Sequence, residues 1–433
     1  MQTSTPARSI ESFSVSNDRA FRVPLLVFSH LRWGFVFQRP QHLLTRLAKD
    51  FDVHFIEEPV FAEGEPSLMS STQHGGVEVL TPRTPVRAAG FNDEQLAIMK
   101  PLVDEWAATR GYAEPIVWLY TPMALPLIAD LEPRAVVYDC MDDLASFKFA
   151  PPELKAREAA LMAQADVVLT GGPSLYEARQ GQHPNLHCLP SAVDAAHFSA
   201  SNVDVTSAEG TAAAELHRDM PRPRLGFFGV IDERLDLELV AGIADRRPDW
   251  QIVMVGPVVK IDPASLPQRS NIQWLGMQRY EALPHLMSHW DVCLLPFALN
   301  EATRFISPTK TLEYLAAGKP VVSTPIRDVV SLYGSAVRLG ETADEFVAAA
   351  QAALDETPAQ RADWSVRARA MVDGCTWDGT AEAIAGLLQA YVSPVEARSI
   401  VVPQGSVAAA DKVAALPRAV VAQERSAQPL SAM

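Results

Sequence analysis

The chain has 433 residues, 48% hydrophobic and 21% charged, an ordinary globular composition with room for about two domains of 150–200 residues each. A net charge of -15 and a pI near 5.1 oppose nonspecific binding to nucleic acid or to an anionic lipid surface, because both demand a basic footprint. Cys140, Cys188, Cys293 and Cys375 are scattered without a CxxC pair, so neither a zinc site nor a disulfide framework is expected, and a reducing cytoplasm fits.

Residues 1–20 are polar, carry both charge signs and lack an apolar core, which predicts a disordered leader and not a secretion signal. No run of about 18 apolar residues is present to span a bilayer. From 21 to 200, short apolar runs alternate with amphipathic stretches. PLLVFSH, DVHFIEEP, PIVWLYTP, RAVVYDCMDD, DVVLTGGP and HCLPSAVD are expected strands, separated by helices such as QRPQHLLTRLAKD and ELKAREAALMAQA. Near-continuous apolar strands bounded by Pro, Gly and Asp indicate a parallel sheet covered on both faces, hence a doubly wound α/β domain. The polar, alanine-rich stretch 201–222, bounded by Pro221 and Pro223, is the expected linker. The pattern restarts over 223–376 with RLGFFGVID, WQIVMVGP, NIQWLGM, DVCLLPF and KPVVSTPI. A closing helix is predicted at 377–393, followed by a disordered tail at 394–433.

The most informative segment is ISPTKTLEYLAAGKPVVSTPI, 306–326. Ser307 suits a helix cap and Pro308 a first helical position, while Gly318, Lys319 and Pro320 end the helix. Lys310 then falls in the first turn, where a cation opposes the helix dipole at a cost of a few tenths to about 1 kcal/mol. An anion in front of the helix removes the conflict, since the N–H groups of Thr309 and Lys310 would meet a phosphate and the ammonium would pair with it. Glu313 lies one turn further on, where a carboxylate can accept both hydroxyls of a ribose. The competing possibility is a Lys310–Glu313 surface pair worth roughly 0.2–0.5 kcal/mol.

Two stretches of the first half carry further candidates. VVYDCMDDLASF ends a strand in acids, and Asp142 and Asp143 are placed to orient an acceptor hydroxyl or act as base, unless they cap the following turn. LRWGFVFQRPQHL interleaves Trp33, Phe35 and Phe37 with Arg32 and Arg39. Aromatics stack on sugar faces and arginine pairs with phosphate or carboxylate, so Trp33 and Arg39 are acceptor candidates; the alternative is core under the first helix. No HExxH spacing occurs, and His30, His42, His285 and His289 look like solitary or helix-surface residues, so no histidine metal site is expected.

On the segment 291–325, DVCLLPFALNEATRFISPTKTLEYLAAGKPVVSTPI, the chain resembles the bacterial nucleotide-sugar-dependent glycosyltransferases of group 1, family 4-like, with the two-domain GT-B fold. The resemblance extends over roughly 23–392, and Glu313, Gly318, Pro320, Val321 and Val322 match the family's motif. It implies two Rossmann-like doubly wound domains facing each other across a cleft, the first for the acceptor and the second for the nucleotide sugar. It also implies transfer of a hexose from a UDP- or GDP-linked donor to a saccharide, lipid-linked or small-molecule acceptor, with no metal or other cofactor. Such an enzyme of polysaccharide or glycolipid synthesis is expected in the cytoplasm or at the inner face of the cell membrane. The alternative is a non-catalytic nucleotide-sugar-binding scaffold.

This chain departs from the family at several positions. Phe305 stands where the first of two glutamates is usual, so Arg304, with Glu301 nearby, is the expected local replacement. In VIDERLDLEL, Arg234 is the one basic residue in reach of the diphosphate, unless it pairs with Asp232 or Glu238. Gly229 gives the close backbone approach a diphosphate needs, and Gly276 and Met277 lie where relatives contact the base. Met141 stands where many retaining relatives carry histidine, which leaves retention and inversion both open.

Overall fold

A computed structural model describes residues 22–112 and 114–392. The leader at 1–20 and the tail at 394–433 lie outside the described residues. The first half holds strands β1 (Val23–Ser29), β2 (Phe51–Glu57), β3 (Val60–Phe61), β4 (Ser67–Thr72), β5 (Glu78–Thr84), β6 (Ile116–Leu119), β7 (Ala135–Cys140), β8 (Val167–Thr170) and β9 (Leu186–Cys188). They pair in the order β3-β5-β2-β1-β6-β7-β8-β9, all in parallel, with β4 added antiparallel to β5. The continuous apolar strands follow from coverage on both faces: in β1, Leu25 and Val27 join one hydrophobic cluster, and Leu26 and Phe28 join the other.

The second half contains β10 (Arg224–Phe228), β11 (Gln251–Val255), β12 (Ile272–Trp274), β13 (Val292–Leu295), β14 (Val321–Ser323) and β15 (Val337–Leu339), paired in parallel as β12-β11-β10-β13-β14-β15. Counted from β10 this is the strand order 3-2-1-4-5-6 of the dinucleotide-binding Rossmann sheet, in which the order reverses between β10 and β13. The first sheet reverses between β1 and β6. Ligands of such sheets bind beyond the carboxyl ends of the strands at these reversals, so the loops after β1, β6, β10 and β13 are where chemistry is expected.

Within the stretch expected as a linker, the helix Ala208–Leu216 forms, capped by Ser207, whose hydroxyl accepts from the Gly210 N–H at 3.0 Å. The closing helix Trp377–Val392 does not stay with the second half. Its buried Trp377, Ala381, Ile384 and Leu388 enter the first half's core beside Leu43, Leu44 and Leu47. Arg46 fastens it through Asp378 at 2.8 Å. Among the described residues no helix is long and apolar enough to cross a membrane, and all four cysteines are free.

Candidate functional site

The end of β10 and the helix Lys310–Ala316 build one side of the site. Leu312, Tyr314 and Leu315 bury the inner face of that helix, and the Tyr314 hydroxyl accepts from the Phe228 N–H at 3.0 Å, which ties the helix to the last residue of β10. The next residue, Gly229, has φ +140°, and a Cβ there would overlap Lys310 Cε. The half-buried lysine is thereby laid across the strand end, its ammonium 5.9 Å from the centre of the Phe227 ring.

Glu313 is only 6% exposed. Among the described residues neither Glu313 nor Lys310 has an oppositely charged group within 4.0 Å, so the Lys310–Glu313 surface pair is not formed. Burial pushes the Glu313 carboxyl up to about 7 against the opposing charge of Lys310. Burial, and next the Arg234 guanidinium, lower the Lys310 ammonium. Two charged groups held in a partly dry site without close partners are costly, and an anion beside the lysine with hydroxyl donors on the carboxylate relieves both.

The first half contributes Asp142, just beyond β7. Burial raises its carboxyl to about 6, opposed by Arg234, Lys310 and Arg39 and reinforced by Asp232. Asp142 therefore feels charges from both halves and faces the lysine across the cleft. Nearby, the Phe147 ring lies under Arg234 at 5.4 Å and Lys260 at 5.8 Å, and the Lys148 N–H donates to Glu233 at 3.1 Å.

Residues 222–356, which carry Gly229, Lys310 and Glu313, match the family Glycosyl transferases group 1. The match covers this domain, about a third of the chain, and makes it similar to the group 1 glycosyl transferases. TuaH of Bacillus subtilis (strain 168), named for teichuronic acid biosynthesis as a glycosyltransferase, is 26% identical over 245 residues, which is 52% of this chain and 59% of that protein. Sucrose-phosphate synthase from Thermosynechococcus elongatus superposes with a TM-score of 0.65 at 17% identity, covering 85% of this chain and 98% of that one. HepE from Anabaena, solved in complex with UDP and glucose, superposes with a TM-score of 0.61 at 16% identity, covering 85% and 99%. At such identities the likeness is one of fold, and the fold is GT-B.

Several of the expected site residues are engaged elsewhere. Asp143 pairs with Arg179 at 3.3 Å and accepts from the Ser146 hydroxyl at 2.7 Å, so its carboxylate is engaged within the first half, without capping the turn by its side chain. Arg304 is 63% exposed, 3.7 Å from Glu301 and stacked over Phe305 at 5.0 Å, while Phe305 itself packs against a hydrophobic cluster of the first half. Ser307 does not cap the helix, because Thr309 is already helical at φ -53°, ψ -37°, and no side chain caps that end. Among the described residues the Thr309 and Lys310 N–H groups donate to no acceptor.

Arg234 is held by Asp232 through two parallel contacts, 3.0 Å from Nε and 2.7 Å from Nη2. Arg39 is buried with Nε 2.9 Å from Asp139 and Nη1 2.9 Å from the Leu189 carbonyl, so its charge is spent inside the domain; Nη2 is without a partner among the described residues. Trp33 fills core against Phe55, 5.2 Å away edge to face. Met277, after Gly276 at φ +65°, is 46% exposed, not core. Sequence reasoning missed Tyr280, whose ring stacks on Phe37 at 4.5 Å and His197 at 4.2 Å and whose hydroxyl feels the Glu313 charge. No local pattern marks it, since its partners Phe37 and His197 come from the other half.

Proposed function

We propose that the protein transfers a hexose from a UDP- or GDP-linked donor to a saccharide or lipid-linked acceptor in polysaccharide or glycolipid synthesis. The observation that carries this is the buried Glu313 and the Lys310 ammonium laid over Gly229, both without a protein counter-charge at ion-pair distance, within the matched domain. In this reading Glu313 accepts the ribose hydroxyls, Met277 lies beside the base, and Lys310 with the free N–H groups of Thr309 and Lys310 takes the diphosphate. Arg234, oriented by Asp232, adds positive potential to the same cleft.

The bond between the anomeric carbon and the diphosphate oxygen breaks with its electron pair leaving on the diphosphate, where Lys310 stabilises the charge. The acceptor oxygen bonds to the anomeric carbon and gives up its proton, with Asp142 as the carboxylate placed to take it or to orient the hydroxyl. Closure of the two halves keeps water from competing for the sugar. The relatives solved with UDP or a UDP-sugar favour the UDP arm, and the TuaH name, given for teichuronic acid biosynthesis, favours the polysaccharide arm.

The test is incubation with UDP- and GDP-hexoses, with and without saccharide and lipid-linked acceptors, reading released nucleoside diphosphate and glycosylated product. Release coupled to product supports transfer. Donor binding without release supports the scaffold alternative, which the replacement at Phe305 and the occupied Arg234 favour.

A further inference from the structure

Three residues from distant parts of the chain meet at one point between the two halves. Gly172 opens the helix Pro173–Arg179 of the first half. Ser307 lies on the loop that leads, three residues later, into Lys310, and Asp328 begins the helix Arg327–Tyr333 of the second half. Asp328 is 1% exposed, and its Oδ1 accepts from the backbone N–H of Ser174 at 3.0 Å. A carboxylate from one half thus sits at the first turn of a helix from the other, where the dipole and a charge-assisted hydrogen bond both favour it. Burial raises the Asp328 carboxyl, opposed first by Ser174, whose N–H it accepts from, and then by the neighbouring Ser307, while Asp328 Oδ2 has no hydrogen-bond partner among the described residues. Arg327 pairs with Glu177 at the rim of the same contact.

Gly172 has φ -171°, extended backbone open to any residue, so its conformation does not require glycine. Space does. A Cβ on Gly172 would overlap Asp328 Oδ2 and Ser307 Cβ, both from the opposite half. The absent side chain is what lets the halves meet at this point.

We propose that the Gly172–Ser307–Asp328 contact is a latch that sets the cleft, and that Asp328 is a positioning residue, acting through Ser307 on Lys310 and through Ser174 on the half that carries Asp142. Its catalytic consequence rests on the transferase reading; its effect on the distance between the halves does not. The experiment compares Gly172→Ala, Asp328→Ala, their double variant and Asp328→Asn in the full chain. The interdomain distance is read by electron-spin labels, one on each half, beside nucleoside diphosphate affinity and turnover at saturating donor.

Gly172→Ala is expected to widen the distance distribution and lower turnover by about tenfold or more, with a smaller loss of affinity for UDP or GDP as the displaced Ser307 shifts Lys310. The double variant should lose less than the sum of the two single losses, because removing the carboxylate relieves one of the two overlaps and leaves the one with Ser307 Cβ. Asp328→Asn keeps an acceptor for Ser174 and should retain the wild-type distance. A wild-type distance in both Gly172→Ala and Asp328→Ala, or additive effects in the double variant, overturns the latch. If Gly172→Ala does not fold, Asp328→Ala against Asp328→Asn carries the same comparison. A wild-type protein that turns over no donor sugar would sink the transferase reading and leave the distance measurement to decide the latch.

Discussion

The Lys310 side chain occupies the space that a Cβ on Gly229 would fill, so the strand end and the lysine are shaped to each other. Gly229→Ala therefore both displaces the ammonium and strains a backbone held at φ +140°. It is expected to weaken nucleoside diphosphate binding by about 1–3 kcal/mol while leaving the weaker binding of the bare nucleoside nearly unchanged. Calorimetric titration with UDP, GDP and their nucleosides checks this; equal losses for both ligand types would mean the glycine serves the fold only.

Glu313→Gln removes a buried charge and weakens one hydrogen-bond acceptor. Nucleotide affinity should fall by about 1.5–3 kcal/mol, with the empty protein no less stable. The sign follows from the carboxyl's rise from its ordinary 4.5 to about 7 on folding. In that window the folded state holds more protons than the unfolded one, so stability is lost as pH climbs from about 4.5 to about 7. Asp142, raised from 3.8 to about 6, acts in the same direction. Urea melts across this range should show the gap between Glu313→Gln and wild type widening in the variant's favour as pH rises; a pH-independent gap contradicts the assignment.

Asp142→Asn keeps size but loses the base, and turnover should fall by about 10²–10⁴-fold with donor affinity little changed. Wild-type turnover should rise with pH through about 6 as this carboxyl ionises. Asp143→Asn retains an acceptor for Ser146 and touches only the Arg179 pair, so its turnover should stay near wild type. Steady-state assays of the two variants settle the matter: normal turnover in Asp142→Asn removes it from the mechanism.

Arg39→Ala leaves the Asp139 carboxylate buried and unpaired. Loss of one member of a buried pair is expected to cost about 3–5 kcal/mol, measurable by urea denaturation. An unchanged midpoint would place Arg39 with the acceptor instead of the fold.

Both sheets were legible because their central strands are buried on two faces and so appear as unbroken apolar runs. Strands β3, β4 and β5 were not: SLMSST is polar at an exposed edge, and EVLTPRT carries a proline inside the run. The pair Lys310 and Glu313 was legible from a misplaced cation in a helix's first turn. Asp142 and Asp143 were equivalent by sequence, and only Arg179, from a helix further along the chain, separates them. Ser307 looked like a cap because local pattern cannot show that its neighbours are Gly172 and Asp328, residues supplied by tertiary folding.

The central claim is that Lys310 and its helix receive the diphosphate of a nucleotide. Calorimetric titration of wild type and Lys310→Ala with UDP and GDP, beside uridine and guanosine, tests it most directly. The account predicts that one diphosphate binds the wild type, that Lys310→Ala loses most of that affinity while keeping its weak hold on the nucleoside, and that the empty variant is as stable as wild type or slightly more so. Failure of both diphosphates to bind, or wild-type affinity in Lys310→Ala, would contradict it.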